Sequence, residues 1–211
     1  HQWLGENEIV ELEPDLAGRF GSGLFFSDEG HLNPRQALRS LYQAARQLGV
    51  SFRFGEEAHD AGDYASVVDC RGPQAIGDIK GLRGVRGEML YLETAEVTLS
   101  RPVRLLHPRH PLYIVPRGNG LFMLGATMIE AEDDGPITAR SMMELLNTAY
   151  ALHPAFAEAR IVETGTGIRP AFPDNVPRLI ETSEGLAVAG MHRHGFLLAP
   201  ALAREAAERL T

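Results

Sequence analysis

The chain has 211 residues, 44% of them hydrophobic and 23% charged, and a formal net charge of -8 at pH 7. That length suffices for one large domain or two small ones with a real core, while an acidic chain without a block of Lys and Arg suits neither nucleic acid nor an anionic membrane surface. The single cysteine, Cys70, excludes a disulfide within the chain and suits a reducing compartment, and no apolar run approaches the roughly 18 residues of a membrane helix. No signal peptide is read, so a cytoplasmic protein is expected. The first residue is His rather than Met and the chain opens in the middle of a pattern, so a trimmed N-terminus is expected.

In chain order, the first clear element is the helix of "NPRQALRSLYQAARQLG", residues 33–49. Asn33 suits the N-cap, Pro34 the first helical position and Gly49 the stop. Leu38, Leu41, Ala45 and Leu48 recur at helical spacing and give one apolar face. Residues 50–54, "VSFRF", alternate like a strand, and residues 65–70, "ASVVDC", read as a short buried strand ending in a buried Cys70 thiol. Helix, strand and buried strand suggest α/β layering.

The middle is antiparallel in character. Residues 86–94, 111–117 and 120–127 read as strands, the last two joined by Gly118-Asn119-Gly120, which is hairpin chemistry. The acidic run at 130–135 reads as a solvated turn. Residues 138–154 read as a second helix, capped by Thr138 and stopped by Pro154. Residues 160–170 are extended, residues 177–191 form a hairpin turning at Ser183-Glu184-Gly185, and a final helix follows Gly195. The order predicts a mixed α/β (α+β) fold in which an antiparallel insert interrupts α/β pieces.

Three stretches carry chemistry. In "GTGIRPAFPDNVP", residues 165–177, Gly165 and Gly167 permit close approach to the backbone, and Pro170 holds Arg169 extended. Such an arginine can present its fork to a carboxylate or phosphate; the plain alternative is a strand-end arginine in a surface ion pair. In "GMHRHGFLLAP", residues 190–200, Arg193 sits between two glycines at a strand-to-helix joint. The helix start behind it offers unpaired N–H groups to an anion or an electron-rich oxygen; the alternative is an exposed arginine at a plain helix entry. His192 and His194 flank it, but alternate residues on an irregular joint fix no ligand geometry, and no metal is expected. In "PLYIVPR", Tyr113 lies on a strand where its hydroxyl can donate to an anion or simply pack across strands.

Taken together and in order, these stretches resemble the glycine oxidase and D-amino acid oxidase branch of the FAD-dependent amine oxidoreductases, in particular the glycine oxidases of thiamin biosynthesis. The resemblance also runs through "ELEPDLAG", "GHLNPRQALRSLYQAARQLGV", "VVDCRG", "GLRGVRGEMLYLE", "RPVRLLHPRHPLYIVPR" and "GLFMLGATMIE". It implies oxidative deamination of glycine, sarcosine or a small D-amino acid by hydride transfer to FAD, with peroxide as a product. It assigns carboxylate binding to Arg169, Tyr113 and Arg193, and the flavin's pyrimidine edge to the backbone of His194, Gly195, Phe196 and Leu197. Orientation of the substrate Cα–H then does the rest, so no side chain is expected as a catalytic acid or base. Met191 departs from the branch, where a histidine or another polar residue is common.

Such a family opens with a strand, a G-x-G-x-x-G turn and a helix. The fingerprint is absent: "GRFGSG" has the wrong spacing, and "GTGIRP" has proline in place of the third glycine. The expected organisation is therefore a substrate-binding antiparallel region at 1–33 and 76–163. Residues 34–75 and 164–211 are the expected remnants of a Rossmann-like FAD domain whose N-terminal βαβ is missing. From this follow the expectations that the chain alone binds no FAD tightly and lacks oxidase activity. Open sheet edges and an apolar face would be covered by a second copy, giving a homo-oligomer. The alternative reading is a flavin-free carboxylate-binding or assembly module descended from such an oxidase.

Overall fold

The computed structural model describes residues 1–57, 64–107 and 111–210, so residues 108–110 of the stretch leading to Tyr113 lie outside the described residues. The chain divides into two compact units. The first comprises His1–His31, Gly87–Ile129 and Asp134–Gly167, and the second Leu32–Arg86, Glu130–Asp133 and Ile168–Thr211. Among the described residues no helix is long and apolar enough to cross a membrane.

The strands β1 (Gln2–Gly5) and β2 (Ser22–Phe25) pair antiparallel in the first unit around the short helix α1 (Glu6–Leu12). The main sheet has the order β5-β6-β7-β4-β8, built from β4 (Arg83–Glu93), β5 (Val103–Leu105), β6 (Leu112–Gly118), β7 (Leu121–Gly125) and β8 (Arg160–Ala171). Its antiparallel core follows from local chemistry. Gly118, Asn119 and Gly120 all take positive φ, the conformation a tight hairpin demands and that these residue types tolerate. The register then sets Leu90 against Leu124 and Leu92 against Phe122, and Ile114 against Leu124. Since alternate residues share a face, these side chains form one buried layer with Leu145, Ala149 and Leu152 of helix α3 (Ala139–Leu152). Each large side chain so buried contributes about 1.5–3 kcal/mol.

Two carboxylates are buried in this unit with their donors supplied. Glu13 accepts from Ser100 N, Ser100 Oγ and Arg101 N. Glu88 accepts from Thr138 N at 3.1 Å, while the Thr138 hydroxyl caps α3 by accepting from Ser141 N. Buried polar groups paired in this way avoid the cost of an unmade hydrogen bond.

Elements of the second unit are helix α2 (Pro34–Gln47), β3 (Val67–Asp69), β9 (Arg178–Thr182), β10 (Gly185–Ala189) and helix α4 (Gly195–Leu210). Here β10 pairs parallel with β3 and antiparallel with β9. The parallel pair is the α/β component that the sequence predicts. Asn33 caps α2, its side chain accepting from Arg35 N and Gln36 N, and Gly49 takes positive φ just past the end.

Three expectations are corrected. Residues 50–54 form no strand; Phe52 and Phe54 instead lie against Tyr42 of α2, with ring centroids 4.6 and 5.8 Å away. Alternation alone does not make a strand where, among the described residues, no ladder partner pairs with it. Cys70 is exposed rather than buried, because β3 is only three residues long and Val68 beside it is itself 38% exposed. The acidic run is more than a solvated turn. Glu130 pairs with Arg83, Glu132 accepts from Gly84 N, and Asp133 takes Arg86, so the segment clasps the first residues of β4.

Candidate functional site

The second unit brings Arg169 and Arg193 together by one hydrogen bond. Arg169 lies half-buried on β8, held extended by Pro170. The Pro170 carbonyl accepts from the backbone N–H of His192 at 3.0 Å. This pins the loop between β10 and α4 onto β8, so that Arg193 follows directly. The loop can turn there because Gly190 takes φ of +80°, and a side chain at that position would collide with the Phe172 ring. His192 also adopts positive φ, 46°, an uncommon conformation for a residue with a Cβ. The loop closes as His194 N donates to Met191 O, and the first helical bond runs from Leu198 N to His194 O.

The His192 ring measures the electrostatics of this corner. Its imidazole titrates below the ordinary range, first because burial disfavours the charged form, then because Arg169, Arg193, Arg83 and His194 repel a further proton. Its Nε2 is buried and has no hydrogen-bond partner among the described residues. Arg83 is partly occupied, with Glu130 at 2.6 Å and Asn175 Oδ1 at 3.2 Å. Phe172, beneath Gly190, is fully buried and carries the Arg178 guanidinium 4.2 Å from its ring centroid; Arg178 is in turn held by Asp174 at 2.9 Å. A rigid floor of this kind fixes backbone that a mobile loop would leave loose.

Tyr113 belongs to the first unit. It is half-buried on β6, where its Cα partners are Arg104 of β5 and Gly125 of β7. Its ring lies over Gly125, so that a Cβ at that glycine would stand 2.8 Å from the Tyr113 hydroxyl. The second unit thus assembles the two arginines, while the tyrosine is set by the first unit's own sheet. His194, Phe196 and Leu197 are exposed at the start of α4 and Gly195 is half-buried. Gly165 serves packing, with the Met89 side chain where a Cβ would go, whereas Gly167 faces open space. Sequence reading misses Arg83 and passes over His192 except as a metal ligand. Arg83 carries no flanking signal, and the hydrogen bond that places His192 is tertiary. Among the described residues no group of three His, Cys, Asp or Glu side chains could hold a metal ion.

Comparison with known proteins bears on this arrangement. A Rhizobium etli protein named as a thiamine biosynthesis oxidoreductase, ThiO, is 60% identical over 209 residues, covering 99% of this chain and 64% of its own length. A Geobacillus kaustophilus glycine oxidase is 30% identical, covering 94% of this chain and 59% of its own length. The chain therefore spans less than two thirds of the curated relatives it matches. The crystal structure of glycine oxidase from Geobacillus kaustophilus superposes with a TM-score of 0.82 at 26% identity, over 99% of this chain and 62% of that one. The fold is also shared, at 19% identity and a TM-score of 0.81, with L-proline dehydrogenase from P. horikoshii. The model of the FAD dependent oxidoreductase family matches residues 1–209, and the chain belongs to that family, with proteins named glycine oxidase and ThiO among its relatives.

Proposed function

We propose that this chain supplies the amino-acid-binding part of an FAD-dependent oxidase that deaminates glycine, sarcosine or a small D-amino acid in the cytoplasm. The observation that carries the reading is the Pro170–His192 hydrogen bond, which sets Arg169 and Arg193 about one imidazole at the entrance to α4. A carboxylate held by a guanidinium fork gains about 1.5–3 kcal/mol from each charge-assisted bond. Holding that carboxylate fixes the direction of the substrate Cα–H, and a corner this cationic also favours loss of a proton from the substrate ammonium.

The residues present fit one part of the cofactor. At the start of α4 the N–H groups of Gly195, Phe196 and Leu197 have no intrahelical acceptor, and the exposed side chains of Phe196 and Leu197 stand beside them. Backbone donors next to apolar surface suit the carbonyl-bearing edge of an aromatic heterocycle. The pyrophosphate has no such match, since G-x-G-x-x-G does not occur in the 211 residues. The chemistry that FAD supplies when bound is a hydride acceptor, with peroxide formed on reoxidation by oxygen.

Peroxide release by the FAD-loaded polypeptide that carries these residues tests the reading. Glycine, sarcosine and D-alanine are the substrates to compare, and Arg169→Leu should raise KM about tenfold to a hundredfold. Activity confined to amines without a carboxylate would sink it. For the 211 residues alone, the flavin absorbance band should remain that of free FAD on mixing. A bound, vibrationally structured band would show that they hold the cofactor without the fingerprint.

A further inference from the structure

We propose that His192 is a third contact to the substrate carboxylate, donating from Nε2 beside Arg169 and Arg193, and that the anion binds together with a proton. The proposal rests on the carboxylate-binding reading above and adds to it a residue and a proton.

Three features of the structure lead there. The Nε2 is a buried polar atom without a hydrogen-bond partner among the described residues, and an unmade bond at such an atom is costly enough that native proteins rarely leave one. The backbone that carries the ring is held at φ of 46° by its hydrogen bond to Pro170 O, a conformation that persists only where its surroundings impose it. The groups acting on the ring are Arg169 from β8, Arg83 from β4, and Arg193 and His194 from its own loop, all of them basic. A ligand that suits both the unmade bond of the ring and these charges is an anion. A turn of the ring about its Cβ–Cγ bond, a soft torsion, is the movement that would bring the nitrogen to a ligand held by the arginines.

The coupling to a proton follows from the same charges. Without a ligand, burial and the surrounding guanidinium groups keep the imidazole neutral at neutral pH. An arriving carboxylate offsets that repulsion and accepts from the ring, so the affinity of the imidazole for a proton rises. By linkage the anion then binds more tightly as pH falls toward the imidazole's own range.

Calorimetry of glycolate binding to the full chain at pH 7, repeated in buffers of different ionisation enthalpy, measures the protons taken up. The wild type should take up a fraction of a proton per glycolate. His192→Gln should bind about tenfold or more weakly with no uptake, at an unchanged unfolding midpoint. Imidazole NMR should show the His192 ring moving toward its protonated shifts as glycolate is added. Glycolate binding that is weakened by Arg169→Leu, but takes up no proton or takes up the same fraction in His192→Gln, overturns the role of His192 and leaves the carboxylate reading standing. No glycolate binding by the wild type overturns both.

Discussion

Leu124 and Leu41 carry the same side chain in opposite surroundings. Leu124, on β7 of the first unit, has no exposed surface, whereas Leu41, on α2 of the second, is 63% exposed. Leu38 on the same helix and Leu48 at its C-cap are 59% and 85% exposed, and α2 contributes no buried residue at all. The first unit buries a large cluster that includes Leu90, Leu92, Ile114, Phe122 and Leu124, because antiparallel pairing sets these side chains opposite one another. The second unit centres on a small cluster of Ala75, Leu82, Phe172 and Ala189, and among the described residues its β3 is paired along one edge only. The lesson is that an amphipathic pattern reports a helix faithfully without reporting that anything covers it.

The largest effect that tests this contrast lies in the first unit. Leu124→Ala removes a fully buried side chain from the middle of the sheet and should cost about 2–5 kcal/mol in urea unfolding followed by circular dichroism. A cost below about 1 kcal/mol would mean that this core is loosely packed and the contrast overstated. Next comes Gly190→Ala, in the second unit. The positive φ alone costs about 1–2 kcal/mol for a residue with a Cβ, and the Phe172 ring must shift as well. Because Gly190 positions the loop bearing His192 and Arg193, glycolate binding should weaken along with stability. Binding unchanged at lower stability would separate the loop from the anion site. Asn33→Ala should cost about 1 kcal/mol, since two N–H groups of α2 lose their cap. A loss of helical signal confined to one turn would show that the exposed helix depends on its local signals.

How far the sequence revealed these features follows the range of the signals. α2, α3 and the β6–β7 hairpin are legible because Asn33, Thr138 and the Gly118-Asn119-Gly120 turn act within four residues of what they specify. The β1–α1–β2 piece is not. α1 is seven residues long with glycine at its N-cap, and its Ile9 reads as core only once packed with Leu4 and Leu16. Residues 50–54 show the converse, a strand pattern that pairs with no ladder among the described residues. At the site, Arg169 and Arg193 are marked by their own neighbours, Pro170, Gly190 and Gly195. His192 and Arg83 gain their surroundings from tertiary hydrogen bonds, and the Gly125 that makes room for Tyr113 is known only from strand register.

A smaller effect concerns pH at the end of β3. The Asp69 carboxylate accepts from the Arg71 guanidinium and from Arg71 N, which holds it below the usual carboxylate range. A depressed folded value means that its contribution is present above the unfolded value near 3.8 and is lost as pH falls through the lower folded value. Asp69→Asn should therefore lower stability at neutral pH by that contribution and flatten the acid limb, while leaving the most acidic region nearly unchanged. An unaltered acid limb would show the Asp69–Arg71 pair to be energetically silent.

The smallest expected effect is the most discriminating. Leu41→Ala removes a side chain that already faces solvent, so stability should stay within about 0.5 kcal/mol of the wild type. The value depends on the structure alone, since the sequence gives Leu41 the same helical spacing as a core residue. A loss approaching that of Leu124→Ala would mean that the α2 face is covered in solution. Repeating the unfolding at several protein concentrations then identifies the cover. A midpoint that rises with concentration in the wild type, and no longer does so in Leu41→Ala, assigns it to a second copy of the chain, because only an intermolecular contact gains from mass action.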